Sequence, residues 1–436
     1  MEPRLHGPAQ LAACPQCSQQ YAFGVDTFTP SRPALCYHCG AVCEVTGETV
    51  PGQAVEVQPL TATTRLSRWD IIAFRSPEAG RVQIKRIWGL PSEQLTIRDG
   101  ELWVNGRWLQ KELHEAVALA IPVAELPTFP SGLWRKEKAE HSTVTDTVET
   151  DVFCRHPVDL SADEHLIWTY ALPVPTGAER LSLASKKSSA LAGELQPSVL
   201  VDDWPGNQGA SYAYQPVRDW GVFLRMKAFA APLVLRMSTG GDVIEVKVVP
   251  ASYPPTEVTN GSAKAAPSAM PAAPAARRAA TAPLAPAHQP LTLTTRTWMW
   301  IFRCDGRLLM GSDVSGPRAY AWSADFRHPT APTQLMVQAS GPVTIERLRI
   351  VRDLYLRTTH RDGGGVEDFG RLGSEDYFVV GDNLPVSDDS RGTMGAVPRS
   401  RILGSVILSA SPAARPALAP WAGSSLRWPG SADAAE

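Results

Sequence analysis

Two sets of residues in this chain have types and spacings suited to chemistry. One is a cluster of cysteines near the start, and the other is a lysine with a distant polar loop. Five of the seven cysteines, Cys14, Cys17, Cys36, Cys39 and Cys43, crowd into one short segment. Cys14-Pro15-Gln16-Cys17 and Cys36-Tyr37-His38-Cys39 are CxxC pairs with 18 residues between them. That spacing is the one with which a zinc ribbon brings four thiolates to a single tetrahedral ion. Zinc suits thiolates because it is a borderline-soft cation without redox chemistry of its own. The other reading of these pairs is two short-range disulfides, and an odd number of cysteines excludes a fully paired framework. Cys43 and His38 are further ligand candidates and leave the fourth position open. A closed four-thiolate site is structural, since no coordination position remains for water. Cys154 and Cys304 stand alone and read as buried core thiols.

The second set is split between two blocks almost 300 residues apart. The first runs Arg68-Trp69-Asp70-Ile71-Ile72-Ala73-Phe74, then Gln83-Ile84-Lys85-Arg86-Ile87-Trp88-Gly89-Leu90-Pro91. Lys85 sits between Ile84 and Ile87 in a β-type run. A lysine held in apolar surroundings loses hydration of its ammonium, so its pKa falls and it can act as a base at neutral pH. The competing reading is an ordinary solvated strand lysine beside an arginine. The second block is Tyr377-Phe378-Val379-Val380-Gly381-Asp382-Asn383, continuing through Ser387-Asp388-Asp389-Ser390-Arg391 to Gly395-Ala396-Val397-Pro398-Arg399. By itself it reads as a polar loop pinned by an Asp/Arg bridge.

The elements that must position these residues are mainly β. Asp70–Phe74, Val82–Ile87 and Glu101–Val104 form strand-like runs, and the turn signals Asp99-Gly100 and Asn105-Gly106 favour the positive φ angles of type I′ hairpins. The pattern predicts an antiparallel meander from Arg68 to Trp108. Further strand runs recur at Gly221–Leu224, Val243–Val249, Thr297–Phe302, Gln334–Val337 and Leu348–Val351, as expected of a β-sandwich. From Asn260 to Pro290, 19 of 31 residues are Ala or Pro, which cannot bury apolar surface and reads as an extended spacer. Tyr377–Val380 and Arg401–Leu408 return to strand character. The expected divisions are 14–50 for the ribbon, 51–110 with 366–408 for a β core, and 111–365 for an inserted β domain containing the linker 253–290. Residues 1–13 precede these, and 409–436 read as a disordered tail.

Composition narrows the function classes. Hydrophobic residues make up 44% of the chain and charged ones 20%, so the chain as a whole is globular rather than disordered. A net charge of −2, from 42 basic and 44 acidic residues, excludes a broad electrostatic grip on nucleic acid. No run reaches the roughly 18 to 20 apolar residues of a membrane-spanning helix; Ala116–Ala124 comes nearest.

Taken together, the two blocks resemble the bacterial type I signal peptidases, or leader peptidases. These membrane-anchored serine proteases use a Ser/Lys dyad to remove signal peptides from exported proteins. The resemblance covers about residues 68–108 and 376–408, and its GDN…SxDSR form is the more specific part. It implies a signal-peptidase-like antiparallel β core carrying a zinc-ribbon-like and a large β-sandwich-like insertion. It implies Lys85 as general base and Ser387 as the serine that hydrogen-bonds and orients that lysine. Asp382, Asn383, Asp389 and Arg391 fall on the loop held against it, and Ile84 falls on the wall of a substrate groove that accepts small side chains. No cofactor is implied for the catalysis, while structural zinc is expected at Cys14, Cys17, Cys36 and Cys39. The implied partners are signal peptides of exported preproteins and the cell membrane, with the catalytic domain on the exported side and no nucleic acid.

Departures from the family pattern are equally plain. The nucleophile there is the Ser of a Ser-Met-x-Pro-Thr-Leu motif, and Met1-Glu2-Pro3-Arg4-Leu5 looks like that motif from its second residue, with Arg4 for Thr. The expectation is a serine and an anchor helix ahead of Met1, so that residues 1–13 are a motif remnant and the chain starting at Met1 is inactive. CxxC pairs soon after this motif also occur in a version of the family. Gly52-Gln53 replaces Gly-Asp, and Pro91-Ser92-Glu93 replaces Pro-Gly-Asp. The alternative function is a catalytically dead, peptidase-fold binding or assembly protein with a zinc ribbon and β-sandwich. Trp168, Tyr212, Trp220, Trp298, Trp300 and Trp322 would then form a carbohydrate or peptide platform, although aromatics in such a region are more often core.

Overall fold

The computed structural model describes residues 5, 7–16, 20–25, 34–36, 41–52, 54–76, 81–126, 133–138, 157–162, 164–176, 192–202, 215–240, 242–253, 291–322, 331–358 and 365–407. Residues 1–4, Cys17, His38, Cys39, Gln53, Cys154, Tyr212, the Ala/Pro tract 254–290 and the tail 408–436 lie outside them. The architecture is mainly β, built from antiparallel sheets, and Leu113–Leu119 is an α-helix. Among the described residues no helix is long and apolar enough to cross a membrane.

Both sequence blocks enter one six-stranded sheet. Its order is Val397–Pro398, Asp376–Val380, Val82–Gly89, Ile71–Arg75, Ile402–Ile407 and Glu56–Pro59. The lysine strand, Val82–Gly89, is central: Ile72 pairs with Lys85 on one side, and Val380 with Arg86 on the other. Alternation along a strand puts neighbours on opposite faces. Lys85 therefore shares a face with Ile72, Phe74, Ile87 and Val379, members of one buried cluster. Trp88, Phe378 and Val380 feed a second cluster on the other face.

The expected meander divides in two. After Gly89 the chain turns at Leu90-Pro91-Ser92, where Ser92 holds φ +66°, and the next strands leave the first sheet. Gln94–Arg98, Glu101–Val104 and Arg107–Trp108 form a separate sheet with Val366–Arg371. Both predicted turns have positive φ at each central residue: Asp99 +51° and Gly100 +87°, Asn105 +50° and Gly106 +75°. That is the signature of type I′ geometry, whose twist matches the flanking strands.

The region between residues 121 and 352 folds as a sandwich. One sheet runs Ile121–Leu126, Val343–Arg352, Trp220–Phe229, Trp298–Cys304, Arg307–Ser312 and Arg318–Ala321, with Val158–Leu160 also on Val343–Arg352. The facing sheet runs Leu133–Lys138, Glu164–Thr169, Gln334–Ala339, Leu233–Thr239, Asp242–Pro250 and Leu291–Thr295. The inward residues of both sheets form one core around Trp168 and Trp220. Trp168, Trp220 and Trp300 are all buried, so these three rings build the interior and offer no binding platform. The apolar stretch Ala116–Ala124 divides between the end of the helix and the first sandwich strand.

Buried charge joins the sandwich to the rest of the chain. Lys111 precedes the helix, and its ammonium lies 2.6 Å from Asp305 Oδ1 and 3.0 Å from Asp353 Oδ2. Its amide also donates to Asp305 Oδ2 at 2.6 Å. Burial alone would depress the Lys111 pKa, but Asp353 and Asp305, with Cys304 and Glu101, hold it well above the ordinary lysine value. Burial pushes Asp353 up to about 6 despite the lysine.

Removing one partner from such a pair leaves the others buried and unpaired, at a cost of about 3–5 kcal/mol. Lys111→Met is expected to lose about that much stability in urea unfolding at pH 7.5. Because the folded state already binds a proton at Asp353 near pH 6, above the unfolded carboxylate value, protonation relieves the unpaired charge. The deficit of Lys111→Met relative to wild type should therefore narrow as the pH falls from 7.5 to 5. A deficit that stays constant across this range would show that charge is not its cause.

Candidate active site

The lysine strand is pinned from its solvent-remote face. Arg86, next to Lys85, forms a two-armed pair with Asp382: Nε to Oδ1 at 2.9 Å and an outer guanidinium nitrogen to Oδ2 at 2.8 Å. Its other nitrogen donates to the Trp69 carbonyl at 2.8 Å. Both Arg86 and Asp382 are buried, and a bidentate fork is the geometry in which a desolvated charge pair is best satisfied. Trp69 holds φ +77°, and its ring meets Trp88 edge-on at 4.9 Å. Its indole N–H donates to Glu115 of the helix at 2.9 Å. The other oxygen of Glu115 accepts from the Glu112 amide at 2.7 Å, which ties up a free donor at the helix start.

On the opposite face, the Lys85 ammonium donates to Ser387 Oγ at 2.9 Å. Burial lowers the Lys85 pKa below the ordinary lysine value; Asp389 and Asp388 oppose this and Arg391 adds to it. The Ser387 hydroxyl is hydrogen-bonded to the Asp389 carboxylate. That carboxylate also accepts from the Gly381 amide at 3.1 Å and from the Arg391 amide at 3.2 Å. The Arg391 side chain closes on it with two bonds, at 2.8 and 2.9 Å. Burial would raise the Asp389 pKa, yet Arg391 and these hydrogen bonds bring it below the ordinary value, so it stays ionised. Arg391 further donates to the carbonyls of Leu384 at 2.9 Å and Arg357 at 3.2 Å.

The loop thus gathers Lys85, Ser387, Asp389 and Arg391 into one connected chain of charge and hydrogen bonds. Asp382 works elsewhere: its partner is Arg86, on the other face of the sheet. Asn383 is buried, and its carbonyl accepts from the Val386 amide at 3.3 Å inside the same loop. Ile84 is half-buried on the Arg86 face of the strand, paired with Ala73. Arg86 was not singled out from sequence, although the acidic residue expected to hold the loop, Asp382, required a cation within reach. Glu93, standing where the family has Asp, pairs with Arg68 at 2.6 Å and accepts from the Leu90 amide at 2.7 Å. Ser92, standing where the family has Gly, carries the positive φ that explains a glycine there.

A loop also connects this site to the sandwich. Arg357, whose carbonyl receives Arg391, grips buried Asp202 with both guanidinium arms, one of them at 2.6 Å. Asp202 in turn accepts at its backbone from Arg352 at 2.8 Å. Near the N-terminus, the sulfurs of Cys14, Cys36 and Cys43 all lie within 4.8 Å of one another and are buried. Hydrogen bonding with Cys36 and burial push the Cys43 thiol pKa up. Cys17 and Cys39 lie outside the described residues.

Gly381 shows how tightly the site is closed. A Cβ at this position would fall on Ser387 Oγ and lie 2.9 Å from Ser387 Cβ and 3.4 Å from Lys85 Nζ. Ser387 cannot rotate away without surrendering its bonds to Lys85 and Asp389. Gly381→Ala is expected to lose about 1–3 kcal/mol in urea unfolding, as overpacking does. It should also shift the Lys85 titration seen by NMR of an isotope-labelled lysine side chain. An unchanged Lys85 resonance would mean that Ser387 does not set its environment.

Residues 44–151 and 350–410 match the family described as Signal peptidase, peptidase S26, a family of serine peptidases. The two matched segments contain Lys85 and the whole Gly381–Arg391 loop, and the first also takes in the sandwich strands Ile121–Leu126 and Leu133–Lys138. A search of curated proteins finds no match. With its mainly antiparallel β architecture and this two-segment match, the chain is a type I signal peptidase-like protein.

Proposed function

We propose that this protein is a serine endopeptidase of the signal peptidase I type, which removes signal peptides from exported proteins at a membrane. The observation that carries the reading is the desolvated Lys85 ammonium set against a hydroxyl whose own proton is engaged by an ionised carboxylate. In this arrangement Ser387 accepts from Lys85 and gives its hydrogen to Asp389, so it fixes the direction in which the lysine points. Ser387 is thereby a poor nucleophile and a good positioning residue.

Neutral Lys85 then presents its lone pair away from Ser387. It takes the proton of an attacking serine hydroxyl, whose oxygen adds to the scissile carbonyl, and the amine leaves with a proton returned from Lys85. An acyl-enzyme results, and Lys85 next takes a proton from the water that attacks the ester. Desolvation matters because a solvated lysine would be almost wholly protonated at neutral pH. Arg86 and Asp382 keep the strand in register beneath the lysine, and Asp389 and Arg391 hold the loop.

The test is cleavage of a signal-peptide substrate by the protein purified from its own host, with its N-terminus read by peptide mapping. Lys85→Ala should lower the rate by about 10²–10⁴-fold, the usual range for a positioned acid–base group. Ser387→Ala removes an acceptor of the Lys85 ammonium, so it should lower the apparent pKa on the acidic limb of kcat/KM further, and it should lower the maximal rate because the lysine is no longer aimed. The wild-type rate should climb with pH through the lowered Lys85 pKa, since only the neutral amine is active. A cleavage rate indifferent to Lys85→Ala would overturn the proposal.

A further inference from the structure

The peptidase reading leaves the N-terminal sheet unexplained. Its strands run in the order Gln20–Gly24, Ala9–Ala13, Val42–Val50 and Ala34–Leu35, all antiparallel. Among the described residues its buried cluster consists of Ala12, Cys14, Phe23, Ala34, Cys36, Ala41 and Cys43, with Val45 packed against it. Phe23 is the sole large side chain in that cluster, and alanines add little apolar area. Small cores of this kind fall short of the entropy lost on ordering the chain, and folded domains of similar size are usually held by a metal or disulfides.

The three sulfurs occupy the centre of this deficient core. Cys14 directly follows the strand Ala9–Ala13, Cys36 follows Ala34–Leu35, and Cys43 lies in Val42–Val50. The Cys36 amide donates to the Ala41 carbonyl at 2.7 Å, and the pairing of Ala34 with Cys43 and of Leu35 with Val42 brings Cys43 alongside. Thiolates sharing one zinc, each about 2.3 Å from it, sit about 3.8 Å apart. Sulfurs within 4.8 Å of one another need only a small contraction to reach that geometry.

We propose that Cys14, Cys36 and Cys43 hold one zinc ion as thiolates, with Cys43 a ligand in its own right rather than a spare. An all-sulfur donor face selects a thiophilic ion over magnesium or calcium. Zinc bonds add to the small cluster seen among the described residues, so metal binding and folding of this sheet are one equilibrium. The site is structural, and it lies ahead of the edge strand Glu56–Pro59 of the sheet that carries Lys85.

The experiment uses the 436-residue chain purified under reducing conditions without added metal. Elemental analysis should find about one zinc per chain. Cobalt(II) exchanged into the protein should show thiolate-to-metal charge-transfer absorption, and Cys43→Ser should weaken it by about one thiolate's share and lower cobalt affinity about 100-fold or more. Cys304→Ser, which removes a buried cysteine from the sandwich, should leave both unchanged. In case Cys43→Ser leaves the sheet unfolded, chelator treatment of wild type gives a second reading: zinc release should open residues 5–52 to proteolysis and leave the sandwich intact. An undiminished cobalt spectrum in folded Cys43→Ser would overturn the role of Cys43. Absence of zinc, together with no thiolate-to-metal absorption when cobalt(II) is added to the reduced protein, would overturn the site itself. None of these readouts depends on peptide cleavage, so the metal site and the peptidase reading stand or fall separately.

Discussion

One buried carboxylate, that of Asp389, organises the Gly381–Arg391 loop. It receives two backbone amides, both arms of Arg391 and the Ser387 hydroxyl, so its lone pairs are fully engaged and its charge is matched by the guanidinium. A carboxylate in this state is rigid, because moving it breaks several charge-assisted bonds together. Ser387 inherits that rigidity through its hydroxyl, and Lys85 inherits it from Ser387. The ammonium is thus aimed by a chain of bonds that starts two residues beyond Ser387. Desolvation sets the lysine's proton affinity, and Asp389 sets its direction.

A second constraint acts on the far side of the same strand. The Arg86–Asp382 fork ties the strand of the first block to the start of the loop in the second, 296 residues later in sequence. Arg86 reaches the Trp69 carbonyl as well, and Trp69 reaches Glu115 at the start of the helix that leads into the sandwich. The loop makes a separate link through Arg391, Arg357 and Asp202. One face of the lysine strand is thereby hydrogen-bonded to the helix Leu113–Leu119, and the other reaches the sandwich strand Val343–Arg352, along two routes that share no residue. Interior packing and buried charge pairs respond to displacement in discrete steps, so such routes fix a geometry more than they transmit small motions.

Much of this was legible in the order of residues, for physical reasons that differ by element. Asp99-Gly100 and Asn105-Gly106 announce their turns because few residue types tolerate positive φ in succession. Lys85 and the Gly381–Arg391 loop stand out through resemblance; the loop's internal bonds span only a few residues, so its pattern is compact in sequence. Arg86 was obscured by its neighbour: an arginine beside a lysine on a strand looks like ordinary surface until alternation sends the two to opposite faces. The Lys111, Asp305 and Asp353 cluster was invisible, since Lys111 lies more than 190 residues from either aspartate and no local pattern links them. Cys43 was ambiguous because CxxC spacing already supplies four thiols; among the described residues the fold sets it beside Cys14 and Cys36. The aromatic residues of the sandwich had two readings, and burial of Trp168, Trp220 and Trp300 favours the interior.

The sandwich begins and ends at one place. Its first strand, Ile121–Leu126, lies antiparallel beside its last, Val343–Arg352, with Ile121 opposite Arg352. A module whose two ends meet adds or removes more than 200 residues while asking the host sheet to span almost no distance. The surrounding strands keep their register whatever the length of chain between these two ends. Lys111 closes that junction: its ammonium sits between Asp305, inside the module, and Asp353, just past the module's last strand, so one buried cation holds the module to the chain on both sides of its exit.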